Sequence, residues 1–222
     1  MIELYGIRAS ELPALYRAKT LSRFALPWSK QHPTAGENTE AQKSLGGLLL
    51  LEAAGVAGEL CYTGQGRPYL AGQALDFSIS HTREHVFCAI GFPDAGAAVP
   101  RIGLDAEELA RAEALDASRM AERWFSDHEK ALLQANPTKE AFLRIWTRKE
   151  ALVKYTGVGL AGMRAADTVC SRQRLAFFEY TAHGVLISLC ADVGTSAPEN
   201  VTLLDGEMLL CRLAAQNRAW KE

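Results

Sequence analysis

The chain has 222 residues, with 24 Lys+Arg against 26 Asp+Glu and a formal charge of −2. No surplus of either sign points to a general polyanion or polycation partner, so a charged ligand has to be met by local groups. At 48% hydrophobic and 23% charged residues, the composition excludes a mostly disordered, collagenous or fibrous chain, and the length suits one large domain or two small ones. Cys61, Cys88, Cys170, Cys190 and Cys211 form no Cys-x-x-Cys pair. That argues against a disulfide framework or zinc knuckle and for reduced core thiols in a cytoplasmic protein. Met1-Ile2-Glu3-Leu4-Tyr5 carries an acid where a signal peptide has bases, and no apolar run approaches the ~20 residues that span a bilayer. The expectation is a soluble, unprocessed protein with neither a membrane nor a nucleic-acid partner.

Trp28 to Asn38, with Pro33 and Gly36 around Lys30 and His32, reads as an irregular loop. A helix is expected from a Thr39 cap, with Gln42 reaching back and Leu45, Leu48, Leu49 and Glu52 on one stripe, to a stop at Gly55. Gly64 to Pro68 is a turn, and Leu75 to Ser80 and His85 to Ile90 are expected strands, with another from Ala97 to Asp105. Helices follow over Leu115 to Trp124, from the Ser126 capping box to Asn136-Pro137, and from Thr138 to Gly157. Strands are expected over Leu175 to Tyr180, Val185 to Cys190 and Val201 to Leu210. Each half thus reads as a long helix followed by antiparallel strands, with residues 1–100 and 101–222 as two subdomains joined near Pro100.

Three segments carry groups suited to chemistry. If the strand continues through Ile102 to Glu107, Asp105 and Glu107 share one face and repel unless a cation intervenes; an all-oxygen pair suits Mg2+, although a solvated strand end would look the same. On the Thr138 to Gly157 helix, Lys149 falls inside the apolar stripe and needs an anion. Glu150 and Lys154 lie one turn apart on its flank, as in an ordinary ion pair. Phe77 to Thr82 ends in hydroxyl, imidazole, hydroxyl, which offers donors to a phosphate, with charge from His81 when protonated. Gly-x-Ser-x-Gly is absent, which disfavours a serine hydrolase.

In this order, Gly66-Arg67-Pro68, Phe77 to Thr82, Ile102 to Glu107, Arg123-Trp124-Phe125-Ser126 with Glu129, and Phe142 with Trp146 to Ala151 and Lys154 to Gly159 resemble the 4'-phosphopantetheinyl transferase superfamily. The length resembles its larger, Sfp-like class. The resemblance implies an α+β fold: a pseudo-twofold pair of similar subdomains, each a long helix packed on a small antiparallel sheet. It also implies Mg-dependent transfer of the phosphopantetheine arm of coenzyme A to a serine of an apo acyl or peptidyl carrier protein, as in a holo-[acyl-carrier-protein] synthase, releasing adenosine 3',5'-bisphosphate.

By the same resemblance, Asp105, Glu107 and Glu150 are the magnesium carboxylates, Glu150 takes the serine proton, and Lys154 neutralises the pyrophosphate. Lys43, Arg67, Ser80 and His81 join Lys154 in holding coenzyme A. Lys30 and His32 stand where the family's N-terminal basic cluster would be, and Glu129 matches a family acid that its capping box also explains. A carrier protein presents an acidic helix beside its serine, so Arg111, Arg119, Met120 and Arg123 are expected to form a basic and apolar patch. A fused pair of subdomains suits a monomer. A non-catalytic coenzyme A or carrier-binding module and a magnesium phosphohydrolase are the competing readings; the intact Asp105, Glu107, Glu150 and Lys154 disfavour the first.

Overall fold

The computed structural model describes residues 1–12, Phe24 and residues 39–219. The chain is mixed α+β, as expected. Among the described residues, β1 (Ile2–Arg8), β4 (Asp76–His81), β5 (His85–Gly91) and β9 (Thr202–Leu204) form one sheet in the order β4-β5-β1-β9. Strands β6 (Ile102–Glu108), β7 (Leu175–Ala182) and β8 (Val185–Asp192) form a second, in the order β6-β8-β7, and β2 (Glu59–Tyr62) and β3 (Pro68–Ala71) form a hairpin. All pairings are antiparallel except β1 with β9.

Each larger sheet carries a long helix. Helix α1 (Thr39–Ala53) sets Leu45, Leu48 and Leu49 against Ile7, Phe77, Val86, Cys88 and Ile90 of the first sheet. The stripe read from the sequence is the buried one, whereas the Thr39 cap, Lys30 and His32 lie outside the described side chains. After the shorter helices α2 (Ala117–Trp124) and α3 (Asp127–Ala135), helix α4 (Lys139–Thr156) covers the second sheet, packing Leu143 on Leu186 and Leu152 near Cys190. The opposite faces of the two sheets share a further core, in which Ile2, Leu4, Phe87 and Ala89 meet Ile102, Leu104, Ala106, Ile187 and Leu189.

Strand β4 and strand β6 run side by side at the join of the sheets without a backbone ladder. Instead, side chains at alternate positions of β4 accept the amides of alternate positions of β6. Asp76 Oδ2 takes the Ile102 N–H at 2.9 Å, Ser78 Oγ that of Leu104 at 2.9 Å, and Ser80 Oγ that of Ala106 at 3.2 Å. The two-residue period of both strands keeps this register constant. It also satisfies three amides that two facing sheets would otherwise strand in the interior. Gly103 lies on the other face of β6, where a Cβ would collide with the backbone of Ala151 and Tyr155; only glycine lets α4 lie this close to the strand.

The helix ends follow their sequence signals. Ser126 and Glu129 form the expected capping box, Thr138 accepts the Ala141 N–H at 3.1 Å, and Gly157 ends α4 at φ 74°. Helix α2 begins later than expected, because Asp116 accepts the Arg119 amide and so caps it. Two strand expectations are corrected. The strand expected over Ala97 to Asp105 starts only at Ile102, past Pro100, and continues through Glu108. The one expected over Val201 to Leu210 stops at Leu204, since Asp205 accepts the Met208 N–H at 2.7 Å and opens helix α5 (Gly206–Ala219), which buries Leu209 and Leu213 at helical spacing. Strand β1, where no strand was expected, lies in the interior of the first sheet between β5 and β9.

Lys149 finds its anion. Its Nζ lies 2.7 Å from Glu129 Oε2, both side chains are fully buried, and it also donates to the Ala166 carbonyl. Glu129 Oε1 accepts both the amide (2.9 Å) and the hydroxyl (2.8 Å) of Thr168. No charge in this knot is left unpaired, as burial requires. Replacement of Ser78 by Ala leaves the Leu104 amide without its acceptor and is expected to cost about 1–3 kcal/mol, read as a lower urea midpoint at unchanged m-value.

Candidate active site

The stitched edge of β4 and β6 and the overlying α4 enclose a cavity of about 1070 Å³, reached also by the first turns of α1. Strand β6 contributes Asp105 and Glu107 and helix α4 contributes Glu150 and Lys154. Strand β4 supplies Ser80 and His81, and α1 supplies Lys43. The site residues expected from the sequence therefore line one space, apart from Arg67. Asp105 and Glu107 are both buried, two positions apart on one strand.

Lys154 does not pair with Glu150 one turn earlier, as an ordinary helical ion pair would. Its Nζ lies 2.8 Å from Asp105 Oδ1 and 2.9 Å from Ser80 Oγ. The Ser80 hydroxyl donates to the same Asp105 oxygen at 3.0 Å while accepting the Ala106 amide. Ser80 thus orients the acid and the lysine, a role its hydroxyl alone did not reveal. Arg111, expected on an outer patch, is exposed, and its guanidinium pairs with Glu107. The i,i+4 spacing of Glu107 and Arg111 was a readable signal, obscured because the strand ends between them.

Three acids in one cleft cannot all ionise at ordinary cost. Burial, then the charges of Asp105 and Glu107, push the Glu150 carboxyl up to about 8 against the pull of Lys154. Burial, then Asp105, also raises Glu107, with Arg111 opposing. Asp105 Oδ2 is buried without any hydrogen-bond partner. An oxygen-only donor set with one such buried oxygen fits a hard divalent cation of the Mg2+ kind. The three carboxylates are not drawn together on a common point: among the described residues, their oxygens do not form a cluster within 4.8 Å. Lys154 and Arg111 each hold one of the acids instead.

The phosphate-binding candidates are arranged less simply. Lys43 Nζ and His81 Nδ1 both meet Glu40, at 2.9 Å and 3.4 Å, an acid the sequence reading passed over. Burial lowers the His81 pKa, with the charge of Glu40 opposing. Arg67 pairs with Asp76 at 2.6 Å and with the Ile102 carbonyl at 2.8 Å, and it borders a neighbouring cavity of about 240 Å³ that shares Lys154. Glu129 is committed to Lys149 and Thr168 and does not line the large cavity.

Residues 101–190 match the family model described as the 4'-phosphopantetheinyl transferase superfamily. Similar curated proteins include the 4'-phosphopantetheinyl transferase HetI of Nostoc sp., 31% identical over 153 residues, which are 66% of this chain and 60% of HetI. They also include the 4'-phosphopantetheinyl transferase AcpT of Salmonella typhimurium, 34% identical over 116 residues, 50% of this chain and 56% of AcpT. The chain thus spans somewhat over half the length of these relatives.

A carboxyl whose pKa is higher folded than unfolded holds its proton more tightly in the native state, so stability is greatest below the unfolded value and falls as pH rises toward the folded one. For Glu150 that window runs from 4.5 to about 8. In the metal-free protein the Tm is expected to fall as pH rises through this window, and Glu150→Gln is expected to flatten the decline, as read by scanning calorimetry.

Proposed function

We propose that the chain is a 4'-phosphopantetheinyl transferase of the superfamily whose model matches residues 101–190, and that it transfers the phosphopantetheine arm of coenzyme A to a serine of an apo carrier protein. The observation that carries the proposal is the meeting of Asp105 and Glu107 from β6 with Glu150 and Lys154 from α4 in one cavity that Lys43, Ser80 and His81 also line. Paired acids for a hard cation and donors for phosphate suit a pyrophosphate substrate; an isolated acid patch would not need the second set.

In this reading the serine oxygen bonds to the phosphorus of the phosphopantetheine arm as the bond to the bridging oxygen breaks, releasing adenosine 3',5'-bisphosphate. Glu150 receives the serine proton. In the metal-free cleft, burial and the neighbouring acids raise its proton affinity, the direction a general base requires. Lys154 moves its charge from Asp105 toward the departing phosphate, and Ser80 keeps both within reach. Asp105, Glu107 and Glu150 would hold Mg2+, which when bound supplies the charge that neutralises the pyrophosphate. Lys43 and His81 face the nucleotide phosphates, and Arg67 lends its remaining donors from the adjoining cavity.

We assign the chain to the larger, Sfp-like class, with holo-[acyl-carrier-protein] synthase activity, as a monomer of two similar halves joined near Pro100; β9 and α5 return to the first half. Five free thiols suit a reducing cytoplasm. No described helix is long and apolar enough to cross a membrane. Arg119 and Arg123 are exposed on α2, with Met120 half-buried between them, and offer the acidic helix of a carrier its complement.

Incubation with coenzyme A, Mg2+ and apo carrier proteins is expected to add one phosphopantetheine mass to the carrier. EDTA or Asp105→Ala is expected to abolish the gain, and Glu150→Gln to slow it by about 10²–10⁴-fold. No mass gain on any fatty acid, polyketide or peptide carrier would overturn the reading in favour of a binding module. Charge reversal of Arg119 and Arg123 together is expected to raise the carrier KM several-fold with the coenzyme A KM unchanged; an unchanged carrier KM removes this patch as the docking face.

A further inference from the structure

Away from the cavity, His128, Asp167 and Cys170 bring an imidazole, a carboxylate and a thiol together on the surface, with one donor atom of each within 4.8 Å of the others. His128 Nδ1 lies 2.8 Å from Asp167 Oδ2, and Cys170 Sγ lies 3.4 Å from the same nitrogen. The proposed transferase chemistry uses none of them.

The cluster is built rather than incidental. Asp167 Oδ1 accepts the amides of Val169 (2.9 Å) and Cys170 (3.0 Å), and Ser171 Oγ donates to the Asp167 carbonyl at 2.6 Å. This turn fixes the carboxylate and the thiol on the same side and leaves Oδ2 pointing at the histidine. His128 is held independently, in the first turn of α3. Its neighbour Glu129 faces inward and takes the Thr168 amide and hydroxyl. The helix start and the 167–170 turn are therefore already joined from beneath, so the three outer groups keep their mutual positions.

We propose that His128, Asp167 and Cys170 form a second metal site, selective for a borderline divalent ion such as Zn2+ or Co2+. Tetrahedral ligation with bonds of roughly 2.0–2.3 Å places donors about 3.3–3.8 Å apart. The sulfur–nitrogen separation already has that value, and the histidine and carboxylate need open by only a few tenths of an ångström. A nitrogen, oxygen and sulfur set favours Zn2+ over Mg2+, the reverse of the carboxylate cleft. Solvent exposure of His128 and Cys170 leaves the fourth position to water or a partner's donor. A bound ion would rivet α3 to the 167–170 turn from outside, directly over the Glu129–Lys149 pair that anchors α4.

The test is a titration of the full chain with CoCl2 in excess Mg2+, on a Cys61→Ser, Cys211→Ser background that removes the other accessible thiols. One equivalent of Co2+ is expected to give an intense near-ultraviolet thiolate-to-metal charge-transfer band that Zn2+ displaces. Cys170→Ser is expected to abolish the band. His128→Ala is expected to weaken Co2+ binding at least tenfold, and Asp105→Ala to leave the band intact. Absence of the band at stoichiometric Co2+, or its survival in Cys170→Ser, overturns the proposal. Far-ultraviolet circular dichroism identifies an unfolded variant. The zinc-induced rise in Tm of the background protein, unaltered by His128→Ala, would overturn the site by a second route. None of these readouts depends on transferase activity.

Discussion

The seam between β4 and β6 is the constraint on which the rest of the molecule depends. Two sheet edges meet there, and the amides of β6 would be buried without partners were Asp76, Ser78 and Ser80 not aimed at them. The cost of a buried unpaired amide makes this register hard to slip. Because Ser80 is both the last stitch and the partner of Asp105 and Lys154, the interaction that joins the halves also orients the site. Fold and chemistry share a hydroxyl.

Helix α4 is located by two further contacts of opposite kinds. Gly103 removes the side chain that would hold the helix off β6. On the far side, Lys149 is drawn onto Glu129 with both side chains fully buried, and Ala166 and Thr168 complete their hydrogen bonds. Adjacent residues of one helix therefore serve different ends: Lys149 anchors it, while Glu150, on the neighbouring face, enters the acid cleft. The cluster of raised carboxyls is tolerable because the helix carrying one of them cannot retreat.

Much of this was legible in the sequence for physical reasons. The Leu45, Leu48, Leu49 stripe, the Ser126 box and the Thr138 and Gly157 ends depend on local geometry and were readable. The need of Lys149 for an anion was equally readable, because the cost of burying an ammonium does not depend on the identity of the partner. Contacts set by tertiary neighbours were not readable. That Lys154 would choose Asp105 over Glu150, that Glu40 would meet Lys43 and His81, and that Arg111 would fold back on Glu107 all depend on which elements come side by side. Val201 to Leu210 misled because an apolar run at the end of a chain fits a strand as well as a helix, and the Asp205 cap outweighed the β-branched Val201 and Thr202.

The parallel pairing of β9 with β1 joins two segments between which, in sequence, the whole second sheet lies. During synthesis β1 leaves the ribosome long before Thr202–Leu204, so the outer edge of the first sheet stays open while the second sheet and α4 are being made. The second sheet and α4, whose strands lie between residues 102 and 192, emerge complete before the first is closed. The second half is therefore free to fold before the first is finished, and β9 and α5, the latter packing Leu209 and Leu213 into the core beneath α1, close the first half from the far side of the second in sequence.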